Sequence, residues 1–344
     1  MVHVSALIKD SSYRKKIGIC QELYGIILKL YLFYSYQRNR LPVIQEPYID
    51  QKQEYFMLWC FLSLLAAVSL ATSDALTKKF FSHLSAYEMG LIRLTYALPW
   101  LLGALFFIPW TKPDTVFYIC LACGLPLEAL AFYCYMKAIK VSPLSMSLPF
   151  LAFTPIFVIL TGRLLLGETI NFAGFSGIVL IVAGSYFLNL SHIQTGILEP
   201  FKAVFKEPGS RLMLLVSFIY SITATVGKLG IIHSNPYVFA VIYFVVFTLL
   251  MVSFLPIVPG VNPRNLIRMP LHGLILGATV SLMIFSHMLA ISQVQAAYML
   301  SLKRTSFLFG VLYGAWWFKE EKIRERLTGA VIMILGVFLI GWFG

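Results

Sequence analysis

The chain has 344 residues, of which 59% are hydrophobic and only 12% are charged. Soluble domains carry about 25% charged residues, so these side chains are too apolar to cover a water-facing globule. The formal net charge of +12 would suit nucleic acid, but the basic residues collect at helix ends and in loops, where they anchor membrane helices. Composition therefore excludes a soluble globular protein and favours an all-α integral membrane protein with no nucleic-acid partner.

Long apolar blocks separated by short polar joints predict ten membrane spans. Each block is close to the ~20 residues that a helix needs to cross a bilayer. Helices are expected because every backbone polar group must be paired within the segment, and the period-two alternation of membrane strands is missing from these blocks. In chain order the spans are 56–81, 87–109, 115–138, 143–166, 170–190, 211–233, 236–258, 270–292, 294–318 and 325–343.

An internal repeat relates spans 1–5 to spans 6–10. Shifts of 150 or 152 residues superpose matching residues, namely Lys78 and Lys228, Glu168 and Glu320, Gly177 and Gly329, and Gly184 and Gly336. Because five is an odd number, the second repeat must enter the membrane from the opposite face. Such inverted repeats are typical of secondary transporters, whose substrate site lies near the midplane between the halves. The predicted domains are a first repeat at 56–190, a linker at 191–210 and a second repeat at 211–344.

Residues 1–55 form a polar and basic tail with a Tyr- and Leu-rich stretch at 17–36. That stretch carries Gln21, Glu22 and Lys29, so it predicts an interfacial amphipathic helix rather than an eleventh span. No repeat unit extends upstream of Met57, and the tail is therefore expected to be dispensable. The basic residues of the tail and those of the loops lie on opposite sides of the membrane, so the positive-inside rule leaves the orientation open.

The end of the first repeat resembles an EamA repeat of the drug/metabolite transporter superfamily. Ser142 to Leu188 reads SPLSMSLPFLAFTPIFVILTGRLLLGETINFAGFSGIVLIVAGSYFL, with a Pro-containing helix, a Gly-Glu pair at its end and a Gly-rich helix after it. Residues 295–341 look like a second copy that ends FKEEKIRERLTGAVIMILG, with Lys319 in place of the Gly and Phe307 in place of Pro155. The resemblance implies ten helices, a central cavity, cytoplasmic termini and alternating access.

Two adjacent cations lie deep in span 9 and are the leading candidates for substrate binding. An ionisable group in the hydrocarbon core costs several kcal/mol and marks a functional site by default. Lys303 and Arg304 have apolar repeat equivalents, Leu151 and Ala152. Neighbouring helix positions diverge by about 100°, so only one of the two is expected to face the cavity fully. Arginine suits bidentate carboxylate or phosphate recognition, and the pair also resembles the anion-binding pair of the superfamily's sugar-phosphate branch.

Other ionisable residues complete the predicted site. Glu128, at the centre of span 3, is interpreted as either the counter-ion of Arg304 or Lys303, or a proton-coupling carboxyl. Asp74 and Lys78, four residues apart on span 1, form either a structural pair or a cavity-lining pair. Further candidates inside the spans are Arg93 and His287, with Tyr96, Tyr133, Tyr298 and Trp316 as candidate aromatic lining.

Three cations near span ends, and the glycines and prolines, are given structural roles. Lys137, Arg163 and Lys228 are expected to extend to the lipid headgroups. The glycines of spans 5 and 10 predict close helix packing. Prolines 143, 149 and 155 predict a bend in span 4, whereas span 9 has no proline, so the two halves are not expected to bend alike.

The sequence has no nucleotide-phosphate loop, metal motif or catalytic grouping, and the Cys120/Cys123 pair suits ordinary core packing. We expect no cofactor, no metal and no enzymatic activity. The predicted function is secondary transport of a small polar metabolite, with an anion favoured, in a bacterial inner membrane. The alternatives are a drug or amino-acid exporter of the same fold and a lipid-modifying membrane protein. The expected partners are a small-molecule substrate, the lipid bilayer and a coupled proton or counter-substrate, and the expected state is a monomer or homodimer.

Overall fold

The computed structural model of the protein describes residues 49–141, 150–190, 208–258, 260–318 and 323–343. Within these ranges the regular secondary structure is helical. The predictions for most of the tail and linker, and for Pro143, Pro149 and Glu320, concern residues outside the described ranges.

The helices follow the predicted spans closely. Those of the first repeat are α1 Ile49–Phe81, α2 Ala86–Ala104, α3 Thr115–Val141, α4 Thr154–Leu166 and α5 Phe172–Leu190. Those of the second are α6 Pro208–Ile232, α7 Pro236–Ser253, α8 Pro270–Ile291, α9 Ala296–Lys303, α10 Ser306–Phe318 and α11 Ile323–Phe343, with a 3-10 turn at Pro263–Ile267 before α8. Because α9 and α10 are two parts of span 9, the architecture of two inverted five-helix repeats is confirmed.

Length and apolar composition support the membrane assignment. Among the described residues, five helical stretches are long and apolar enough to cross a bilayer, in α1, α3, α6, α7 and α8. Shorter apolar helices occur in α4, α5 and α11. Many large apolar side chains point outward, including Phe106, Phe107 and Trp342, as expected when lipid rather than water surrounds the helices.

Repeat-related glycines form the contact between α5 and α11. A Cβ atom added at Gly177 would lie 2.8 Å from the carbonyl oxygen of Gly336, and one added at Gly184 would lie 2.7 Å from that of Gly329. Only glycine allows two helix backbones to approach this closely. The predicted packing role is confirmed at these positions, and the seam joins the last helix of one repeat to the last helix of the other.

Both repeats interrupt their fourth helix at equivalent positions, although span 9 has no proline. The prediction that the two halves bend differently stays a prediction, because Pro143 and Pro149 of span 4 lie outside the described residues. The chain turns at Ala152 and Phe153 before α4, and at the equivalent Arg304 and Thr305 between α9 and α10. Phe153 N–H donates to Phe150, and Thr305 N–H donates to Leu302, each three residues back. The Thr305 hydroxyl also donates to the Leu302 carbonyl at 2.7 Å. A hydroxyl that competes for helix carbonyls can bend a helix without proline.

The packing of α8 against α2 gives a stability prediction. A Cβ added at Gly277 would lie 1.9 Å from the carbonyl oxygen of Tyr96, whereas one added at Gly310 would meet nothing within 4 Å. We expect Gly277→Ala to lower the free energy of unfolding by about 2 kcal/mol, because the backbones must separate. Gly310→Ala should leave it unchanged or slightly raised. Thermal unfolding in one detergent measures both, and equal shifts would contradict the close contact.

Candidate functional site

A cavity of ≈ 190 Å³ lies between the two repeats. Residues of α1, α2, α3, α6, α7, α8 and α9 line it, together with the start of α4, whereas the described parts of α5, α10 and α11 contribute none. Its wall is mainly apolar and aromatic. Six ionisable side chains also reach it, namely Arg93, Glu128, Lys228, His287, Lys303 and Arg304.

Both cations of the interrupted helix face the cavity. We expected only one of Lys303 and Arg304 to do so, and that expectation is wrong because both line it. Arg304 keeps right-handed helical backbone angles, with φ of -67° and ψ of -15°, although α9 ends at Lys303. The two side chains therefore leave the helix in different directions, and both are long enough to reach the cavity wall. Their repeat equivalents at the other interruption, Leu151 and Ala152, are buried apolar residues.

Arg304 is buried, and none of the ion pairs between described residues includes it. The residue is 4% exposed, and its Nε atom has no hydrogen-bond partner among the described residues. The phenol groups of Tyr135 and Tyr220 and the cation Lys303 act electrostatically on the guanidinium. An unpaired guanidinium in a low-dielectric site costs free energy, and its planar fork suits a carboxylate or phosphate oxygen pair.

Lys303 contacts His287 instead of a carboxylate. Its Nζ lies 3.1 Å from His287 Nδ1. Because an ammonium group has only donors, the Nδ1 atom accepts and the imidazole proton is on Nε2. A neutral His287 therefore adds a hydrogen-bonding group to the cavity wall.

Glu128 is the carboxylate of the described cavity wall. It lies beside the hydroxyl of Thr223, which can donate a hydrogen bond to it, and it interacts electrostatically with Lys303. The ion pairs found between described residues do not include Glu128. Of the two interpretations, a direct counter-ion contact is therefore not formed in this conformation, and the carboxyl remains available to a ligand or a proton.

Arg93 and Asp74 form an ion pair across α1 and α2. Arg93 donates from Nη1 to Asp74 Oδ1 at 2.5 Å and from Nη2 to Ser73 Oγ at 2.9 Å. Arg93 reaches the cavity, but Asp74 and Lys78 are not among the lining residues. Asp74 is thus paired across helices, and Lys78 is exposed. Asp74 offsets the charge of Arg93 and holds its position without lining the cavity itself.

A second buried ion pair lies beside the cavity. Glu168 accepts from Lys228 Nζ at 2.5 Å and from Ala296 N–H at 3.0 Å, and the same Lys228 nitrogen donates to the Val294 carbonyl at 2.5 Å. These four residues, here called the Glu168 latch, tie the end of α4 to α6 and to the start of α9. Lys228 does not extend to the headgroups as predicted, because its side chain is only 11% exposed and lies against the cavity.

The Gly-Glu pair at the end of α4 explains how Glu168 reaches its partners. Gly167 has a φ of 66°, a left-handed conformation that favours glycine. That turn lets the Glu168 N–H bond back to the Gly162 carbonyl at 3.2 Å. The motif that suggested the family resemblance therefore positions a cross-helix ion pair.

Sequence reasoning missed most of the aromatic wall. Tyr135, Tyr220 and Tyr243 line the cavity together with Thr223. The spacing of Tyr135, seven residues after Glu128, places both on one helix face and could have indicated it. The other three come from α6 and α7, and their position depends on how the repeats pack.

The four aromatic residues suggested from the sequence are not among the lining residues. Tyr133 and Trp316 are exposed. Tyr96 and Tyr298 instead cover glycines on neighbouring helices, Gly273 and Gly174 respectively. Their bulk serves helix packing, which a single sequence cannot distinguish from cavity lining.

Comparisons with known proteins agree with this fold. The family described as "EamA-like transporter family" matches residues 57–190 and again 208–342. A solved structure, described only as the crystal structure of a protein, is similar with a TM-score of 0.67 and 14% identity, over 85% of this chain and 99% of the other. The search of curated proteins gives no match. The chain therefore belongs to the EamA-like transporter family and is an integral multi-pass membrane protein.

Proposed function

We propose that this protein is a secondary transporter of a small anionic metabolite in a bacterial inner membrane. Membership of a transporter family supports transport, and the cavity between the repeats supplies a site of the required kind. Alternating access would move this site from one face to the other, and the Glu168 latch joins α4, α6 and the start of α9 in the present conformation. No chemical step on the substrate is needed.

The observation that carries the anionic assignment is the buried Arg304 in the cavity wall, which has no ion pair with another described residue and whose Nε atom has no hydrogen-bond partner among them. A buried charge is costly and is retained where function needs it. An exporter of cationic drugs would instead need carboxylates. Among the described lining residues there is one carboxylate, Glu128, and there are four cations. A lipid-modifying protein would need reactive groups at the membrane interface, whereas these ionisable groups lie inside the bundle.

Transport is tested with purified protein reconstituted in liposomes. Vesicles preloaded with one metabolite are diluted into a trace of its labelled form, and uptake by counterflow is compared with vesicles that lack protein. We expect counterflow for anionic metabolites and none for cationic ones. Counterflow of cationic compounds alone, or of no compound above the empty vesicles, would contradict the proposal.

Glu128 provides a separate prediction about energy coupling. We expect Glu128→Gln to retain counterflow within about threefold but to lose accumulation driven by an imposed proton gradient, because the amide cannot exchange a proton. The matched control is Glu88→Gln, since Glu88 is also buried but accepts hydrogen bonds from Asn262 and Asn265 and does not line the cavity. Gradient-driven accumulation that survives Glu128→Gln would assign proton coupling to another group, and its absence in the wild-type protein would favour exchange.

A further inference from the structure

The charges around the cavity do not balance, and we propose that its ligand carries a single negative charge. This proposal rests on the proposed transport function and narrows its substrate class to monoanions. It follows from pairing the charged side chains that reach the cavity with the partners that the structure gives them.

Two of the four cations that line the cavity are neutralised by acidic residues that do not line it. Lys228 pairs with Glu168 at 2.5 Å, and both side chains are nearly buried, at 11% and 12% exposure. Arg93 pairs with Asp74 at 2.5 Å. Neither acid lines the cavity, so each pair presents a neutral unit to a ligand. These two cations fix the wall in place and do not call for an external anion.

Lys303 and Glu128 form a third, looser balance. Both line the cavity, and none of the ion pairs between described residues joins them, so their opposite charges offset each other in the total without direct contact. Transfer of a proton from the ammonium to the carboxylate would leave their summed charge at zero, so the count does not depend on which form is present. His287 accepts from Lys303 and is neutral in that arrangement.

Arg304 then remains as the unbalanced charge among the described residues around the cavity. It is buried, and its Nε has no partner. In an enclosed site, where Coulomb forces are weakly screened, one negative ligand charge brings the total to zero. A neutral ligand leaves the cation unpaired, and a dianion leaves an excess negative charge. Both cases carry a desolvation cost that a monoanion avoids.

The count predicts the stability of the ligand-free protein. Arg304→Met removes a charge that has no partner among the described residues, so we expect the melting temperature in anion-poor buffer to rise by a few degrees. Residues that are retained for function often lower stability, and replacing them can therefore stabilise the protein. Lys228→Met and Arg93→Met each leave a carboxylate without its cationic partner, so both variants should have a lower melting temperature. A fall for Arg304→Met as large as that for Lys228→Met would overturn the proposal, because Arg304 would then be a paired structural cation.

Ligand charge is tested on one carbon skeleton. Dimethyl succinate, monomethyl succinate and succinate carry zero, one and two negative charges at pH 7.5, and formate and acetate provide smaller monoanions. We expect the monoanions to stabilise the wild-type protein at concentrations at least tenfold lower than the dianion, and to lose this effect in Arg304→Met. Equal or stronger stabilisation by succinate, or no stabilisation by any monoanion, would overturn the proposal.

The two proposals can fail separately. Counterflow of neutral or dianionic compounds alone would remove the monoanion assignment and leave a transporter. Arg304-dependent stabilisation by monoanions without counterflow of any compound would leave the charge assignment and remove transport.

Discussion

The Glu168→Gln protein is expected to lose about 3 kcal/mol of unfolding free energy and most of its counterflow activity. Breaking one side of a buried ion pair leaves an uncompensated charge, and such losses are typically about 3–5 kcal/mol. Lys228 would be that charge, since its side chain is 11% exposed and its remaining acceptor is the Val294 carbonyl. Loss of the latch would also release α9 from α4 and α6, which we expect to disturb the packing of the helices that line the cavity.

A double variant and an exposed ion pair provide the controls for the latch. Glu168→Gln combined with Lys228→Met removes both charges, so part of the lost stability should return. Asp114 pairs with His233 at 2.7 Å, but the carboxylate is 51% exposed. Asp114→Asn should therefore change stability by about 0.5 kcal/mol or less. Thermal unfolding and counterflow are measured on the wild-type protein and the three variants from the same preparations. Equal losses of stability for Asp114→Asn and Glu168→Gln would refute the latch.

The Arg304→Gln protein is expected to fold and to transport anionic metabolites with an apparent affinity about 100-fold weaker. The neutral amide cannot supply the charge-assisted hydrogen bonds of a guanidinium, which contribute about 1.5–3 kcal/mol each, and 1.4 kcal/mol corresponds to tenfold in affinity. Arg304→Lys keeps the charge but not the planar fork, so it should recover only part of the affinity.

Arg163 is the matched control for Arg304. It is an arginine in the last turn of α4, but it is exposed and does not line the cavity. Arg163→Gln should leave the apparent affinity within twofold. The half-saturating concentration for counterflow is the measurement, made with the monoanion that stabilises the wild-type protein most. An unchanged value for Arg304→Gln would place the anion site elsewhere.

The predicted site residues differ in how far the sequence could locate them. Glu128, Lys303 and Arg304 could be chosen because they are ionisable, deep in their spans and apolar in the other repeat. The role of Lys228 could not be inferred in this way. Its position near a helix end suits a lysine that extends to the lipid headgroups as well as one in a buried ion pair. Its partner Glu168 is 60 residues away in the chain, and only the packing of α4 against α6 brings them together.

By itself the sequence determined the membrane class, the ten spans and the inverted repeat, because hydropathy, length and the offset between matching residues are properties of the chain alone. It also indicated which glycines pack, since Gly177 and Gly184 recur as Gly329 and Gly336 at the repeat spacing of 152 residues. Only the tertiary structure decided the ion-pair partners and the aromatic cavity wall. Those depend on contacts between helices far apart in the chain. Among the described residues, they give Arg93 and Lys228 an acidic partner each and give Arg304 none.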